Sequence, residues 1–158
     1  MRFFTREWHA GKVSDIEANS ASTTYAAHIE TLLPKMSATV RALAQSINLH
    51  DGRVRKISFD ISNRTLIVAM HCGDLQTGYF DVDLVYADVD VRTSDLSEVD
   101  AIASDTEAEA LYDEVDVSPD GQWIHRVLFW PYREICIVFA KLGLRLEPRE
   151  NREFRRDA

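Results

Sequence analysis

The sequence predicts an α+β domain: N-terminal helices packed on a mainly antiparallel sheet of about six strands. Three observations carry that reading. Apolar residues recur every three or four positions across 25–47, the period of a helix with one buried face. Across 56–140 the pattern changes to short alternating or continuous apolar runs of strand length. Compact turn signals separate most of these runs, and short connections make antiparallel neighbours. The chain has 158 residues, 46% of them hydrophobic and 28% charged. That is one domain's worth, enough to bury roughly 70% of its unfolded surface without metal or disulfide staples. The domain is assigned to 1–147 and a charged tail to 148–158.

The elements follow in order. Thr5 can cap a short helix in TREW, and Gly11 ends it. SDIE at 14–17 is a capping box, with acids at the positive end of the helix dipole. Tyr25, Ile29, Leu32, Met36, Val40, Leu43 and Ile47 form the apolar stripe, which Pro34 kinks or breaks near Leu33. Helix ends at NLHDG, where Gly52 suits the left-handed cap. KISFDI is an alternating strand; TLIVAMHC is apolar on both faces, as in a central strand. GDLQTG turns the chain into YFDVDLVYADVDV, whose alternation changes phase part-way. A β-bulge near 84–87, or a bend between packing layers, accounts for the change and places its aspartates in solvent. A short helix or loop over 93–110, with Ser94 as a candidate cap, leads to the strands ALYDEVDV and QWIHRVLFW about the turn SPDG. PYR turns into EICIVFA, and LGLRLEP is a candidate last strand.

Net charge is −8, unevenly spread: 81–120 holds fourteen acids and one base, a net −13, while the rest of the chain is +5. Phosphate is repelled by such a segment, which makes nucleic acid a poor partner; a basic protein surface is attracted. No apolar run approaches the ~18 residues of a membrane span. The N-terminus lacks the apolar core of a signal peptide, so the expected location is the cytoplasm. Cys72 and Cys136 suit reduced thiols, with a disulfide left open.

Chemistry-bearing motifs are sparse. The pairs Asp81/Asp83 and Asp88/Asp90 have the spacing of two carboxylates on one strand face, but no nucleotide-binding βαβ unit accompanies them, and no metal site is assigned. His71 and Cys72 point to opposite strand faces and cannot share a metal. His125 falls on the strand face Trp123, His125, Val127, Phe129 and reads as a core or edge histidine. No phosphate loop, nucleophile elbow or Cys-x-x-Cys pair is present, and no cofactor is assigned.

MRFFTREWHAG, LLPKM, INLHDGRVRKISFD, ALYDEVDV and IHRVLF, in that order, resemble a family of small bacterial proteins of unknown function. Its members begin with a Phe-Thr-Lys/Arg-Glu block, here Phe4, Thr5, Arg6 and Glu7. They carry Leu-His-Asp before the first strand, here Leu49, His50 and Asp51, and a later Leu-Tyr-Asp-Glu, here Leu111, Tyr112, Asp113 and Glu114. The resemblance implies no activity; it implies structural roles for 5–8 and for His50 and Asp51.

Three functions compete. The first is a non-enzymatic protein-binding module, such as a bacterial immunity protein neutralising a basic toxin, with an acidic patch at Asp81, Asp83, Asp88, Asp90, Asp113, Glu114 and Asp116. The second is a small enzyme or ligand-binding domain using a cleft between helices and sheet, lined by His50, Asp51, Tyr112 and His125. The third is an oligomerisation domain that pairs edge strands between copies. Oligomeric state is not legible in the sequence.

Overall fold

A computed structural model describes residues 1–150. It is α+β, with one antiparallel sheet of seven strands and four α-helices. The helices are α1 (Arg6–His9), α2 (Asp15–Leu32), α3 (Ala38–Gln45) and α4 (Val99–Ser104). The strands are β1 (Gly52–Asp60), β2 (Thr65–Asp74), β3 (Gly78–Ala87), β4 (Glu109–Val117), β5 (Trp123–Phe129), β6 (Arg133–Phe139) and β7 (Lys141–Arg149).

Local chemistry explains the helix ends. Thr5 Oγ1 accepts from the Trp8 N–H, and Ser14 with Glu17 closes both halves of the capping box. Pro34 breaks the helix rather than bending it. A 3-10 turn at Leu33–Lys35 follows α2, Met36 is extended, and Ser37 caps a new helix by accepting from the Val40 N–H. Ile29, Leu32, Met36, Val40 and Leu43 from this stripe enter the core.

The sheet order is β6-β5-β4-β1-β2-β3-β7. Pairing between β1 and β4 covers only Gly52↔Ala110 and Arg53↔Glu109. A flat sheet would hold β3 and β5 about 19 Å apart, four strand spacings. Yet the Tyr86 hydroxyl on β3 lies 2.6 Å from His125 Nδ1 on β5, and its ring is 5.0 Å from that of Phe139 on β6. The sheet is therefore folded over at the short β1–β4 seam, so that its two halves share one core. α3 contacts both β4 and β7, closing the open side.

Four local expectations change. The last strand is a full nine residues and forms a sheet edge, so the sheet has seven strands and Pro148 belongs to β7 rather than to the tail. The remaining tail, 151–158, lies outside the described residues. No bulge interrupts β3: it pairs in continuous register with β2 and β7, burying Val82, Leu84 and Tyr86. The phase changes because the strand ends at Ala87 and Asp88 turns the chain in the left-handed region (φ 56°), which returns Val89 to the core. Bulge-like irregularities fall instead between Val54 and Lys56 and between Ala110 and Tyr112. Asp51, not Gly52, takes the left-handed position (φ 59°). Gly52 is needed for close approach: a Cβ there would lie 2.6 Å from Cys72 Sγ and 2.7 Å from the Leu49 carbonyl oxygen. Ser94 does not cap α4, which starts after Glu98; its hydroxyl accepts from the Val138 N–H.

Candidate functional site

The seven acids expected to form one external patch do not gather there. Asp81 is 6% exposed on the outer face of β3. It accepts from His71 Nδ1 (2.7 Å) and Arg149 Nε (2.7 Å), with Arg55 Nη1 at 3.1 Å. Burial alone would raise its carboxyl, but these donors outweigh it and hold the pKa below the ordinary carboxylate value. Asp83 lies 3.7 Å from Arg55, and Asp88 lies 3.1 Å from Arg64. Asp90 accepts from the Arg92 N–H of its own turn.

β4 explains the other three. On one face of β4, Glu114 and Asp116 are covered by residues 2–4 and by α2, while Tyr112 on the same face stays half-buried. Glu114 is 0% exposed and accepts from three successive backbone amides, Arg2 (2.8 Å), Phe3 (2.6 Å) and Phe4 (2.6 Å). Asp116 accepts from His28 Nε2 (2.8 Å), Arg2 and Arg126 (3.2 Å each) and the Val117 N–H. Desolvation raises its carboxyl, but the four donors win and lower it. Asp113 points the other way and accepts from His125 Nε2 at 3.0 Å. Asp81, Asp83, Asp88 and Asp116 are thus paired with arginines of the same chain, which screen their charge from a partner.

The alternative set separates as well. His125 is fully buried between Asp113 and Tyr86. A carboxylate only accepts, so Nε2 carries the hydrogen; in that neutral tautomer Nδ1 accepts from the Tyr86 hydroxyl. The Tyr86–His125–Asp113 series ties the two sheet halves together, and His125 itself has no exposed surface. The space between helices and sheet is filled by Ile29, Leu32, Met36, Val40 and Leu43. His50, Asp51 and Tyr112 do converge, at the β1–β4 seam. His50 Nδ1 donates to the Leu111 carbonyl oxygen at 2.5 Å, and its ring lies 5.1 Å from that of Tyr112.

Tyr112 is the hub of an aromatic ridge. Around it stand Phe4 (5.5 Å), Trp8 (4.9 Å, edge-on), His9 (5.7 Å) and His50. His9 continues the ridge to Tyr132 (5.8 Å), and Tyr132 to Trp130 (5.7 Å). Trp130 is 46% exposed and Tyr132 37%. Tyr132 sits on the β5–β6 hairpin at φ 94°, outside the region that side chains favour. Backbone bonds set acids at the ridge's border: the Trp130 N–H donates to the Glu109 carbonyl, and the Asp51 N–H to that of Ala110. The connection over 93–110 carries six acids and no base. Within it Glu98 pairs with Arg133 and Glu107 lies 3.8 Å from Arg53. Arg6, Glu7 and Lys12 flank Tyr132 on the other side. In sequence the ridge was invisible because its rings come from α1 and the segment before it, β4, the residues before β1 and one hairpin; the only signal was the aromatic richness of FFTREWH and FWPY.

A separate cavity of about 650 Å³ opens beside the seam, lined by Asp51, Arg53, His71, Asp74, Tyr79 and Glu109 among others. The Tyr79 ring stacks on His71 (5.7 Å, 8°).

Among the described residues no cluster of three or more His, Cys, Asp or Glu is placed to hold a metal, and no helix is long and apolar enough to cross a membrane. Both cysteines are free thiols; burial pushes that of Cys72 up to about 12. No family model, curated protein or solved structure matches the chain.

Proposed function

We propose that this chain is a non-enzymatic protein-binding module that engages a basic partner through the aromatic ridge at Trp8, Tyr112, Tyr132 and Trp130. A bacterial immunity protein blocking a basic toxin is the form of this function that the acidic composition suits. The observation that carries the reading is the continuous run of rings, half-buried at Trp8 and Tyr112 and open to solvent at Tyr132 and Trp130. Trp and Tyr supply large contact area at low conformational cost, and such rings dominate binding energy at protein interfaces. The neighbouring 93–110 connection supplies negative charge that steers a basic surface toward them. This places the interface at the seam instead of at the seven acids read from sequence, which are occupied within the chain.

The test is affinity capture from source cells at low salt, comparing the wild type with a Trp130→Ala/Tyr132→Ala variant of unchanged circular dichroism. A basic protein is expected on the wild type, released as salt rises, and bound at least tenfold less by the variant, since aromatic hot spots cost about 2 kcal/mol or more on truncation. Equal retention by both proteins would overturn the reading.

A second reading, a ligand-binding or catalytic domain, is favoured by the 650 Å³ cavity, one of whose walls is His71, itself held by Asp81. Thermal-shift screening with small charged molecules separates the two. Stabilisation lost in Arg53→Ala would favour the cavity.

A further inference from the structure

The two outer strands of the sheet end differently. β6 is closed along its free side by the 90–95 segment. Asp95 exchanges backbone hydrogen bonds with Cys136 (2.8 and 3.0 Å), the Asp90 N–H donates to the Val138 carbonyl (2.8 Å), and Ser94 Oγ accepts from the Val138 N–H. β7 is the opposite edge, and among the described residues no strand flanks its outer side. It is nine residues long and pairs with β3 without irregularity. A long, regular, open edge is a template for another strand.

The side chains of β7 fall into two rows. Leu142, Leu144 and Leu146 share the face of Tyr86, Leu84 and Val82, their cross-strand partners. Leu142 is buried, but Leu146 is 50% exposed and lines a shallow groove with Ile47, Phe80 and Pro148. The other row reads Lys141, Gly143, Arg145, Glu147 and Arg149.

We propose that β7 pairs antiparallel with β7 of a second copy of this chain, about a two-fold axis through Leu144. In this register Leu144 meets its own counterpart, and Leu142 lies opposite the second copy's Leu146, which covers the exposed leucine. Lys141 lies opposite the second copy's Glu147, twice by symmetry, and Gly143 makes room opposite Arg145. Charged residues on an edge ordinarily guard against pairing. Here they are opposite in sign across the axis, so they select a register instead. The paired stretch is 141–147. Pro148, which has no N–H to contribute, stays outside it, whereas a two-fold axis at Leu146 would draw Pro148 into the ladder. The surface lies on a different strand from the aromatic ridge, so the proposal stands or falls independently of the function argued above.

Sedimentation velocity on the full chain tests it, with foldedness checked by circular dichroism because Lys141 also lies 3.9 Å from Asp88 and Glu147 3.2 Å from Arg149. The wild type is expected to form a concentration-dependent dimer. Lys141→Glu and Glu147→Lys should each weaken it about tenfold, replacing two attractive pairs by two repulsive ones. An equimolar mixture of the two single variants should form a mixed dimer, because both cross-axis pairs are then of opposite sign. The double variant should dimerise like the wild type. A wild type that stays monomeric up to about 1 mM, the weak end of specific association, overturns the proposal. So does a dimer indifferent to both reversals.

Discussion

Glu114 shows how one residue's partners override what its neighbours in sequence suggest. In YDEVDV it alternates with Val115 and Val117, which marks it for solvent. In the fold it is fully buried and accepts three backbone amides of residues 2–4. A buried carboxylate so supplied anchors the N-terminal segment to β4. Glu114→Ala removes the acceptor from three amides and is expected to cost about 2–4 kcal/mol in urea denaturation. Glu114→Gln keeps one acceptor oxygen for Phe3 and Phe4 but sets an amide group against the Arg2 N–H, so its loss should fall between Ala and wild type. Equal stability of all three proteins would show that water satisfies those amides.

At the scale of elements, backbone geometry decides most. The β2–β3 hairpin closes so tightly that a Cβ on Gly73 (φ 100°) would lie 2.1 Å from the Gly78 carbonyl oxygen. Gly121, in the β4–β5 turn, also has positive φ (82°), but nothing lies within 4 Å of its Cβ position. Gly73→Ala is therefore expected to cost about 3 kcal/mol, combining backbone strain with a backbone clash, and Gly121→Ala about 1 kcal/mol, from backbone strain alone. Thermal denaturation of the two variants distinguishes them, and similar losses would contradict the close contact. Hairpins and caps of this kind were legible in sequence, because SDIE, GDLQTG and SPDG act over three or four residues. The phase change after β3 was visible too, but not its cause. One extra residue in a strand and a strand that stops produce the same alternation on paper, and only the unbroken pairing with β7 separates them.

For the molecule as a whole, the acids act as internal fasteners. Asp81 holds Arg55, His71 and Arg149 on the outer face of one sheet half, and Asp116 holds Arg2, His28 and Arg126 on the other. Both carboxyls titrate below their ordinary value, because their donors outweigh the desolvation that opposes them. A carboxyl lowered in the folded state contributes stability that is present above its unfolded value near 3.9. That contribution is lost as pH falls through the lower folded value. Denaturation midpoints are thus expected to drop steeply below about pH 4. In Asp81→Asn/Asp116→Asn the protein should be less stable at neutral pH and show a flatter decline toward acid. An unchanged acid slope would mean that other carboxylates control the transition.

The α+β class, the caps at Thr5 and Ser14, an interruption at Pro34 and the succession of strands were readable from the chain alone, because each depends on periodicity and on contacts only a few residues apart. Tertiary structure alone decided how the sheet folds over at Gly52 and Arg53, which acids are buried, and where the exposed rings assemble. The physical reason is separation along the chain. Glu114 is satisfied by amides 110 to 112 residues away and Asp81 by an arginine 68 residues away, and no local pattern encodes a partner at that distance.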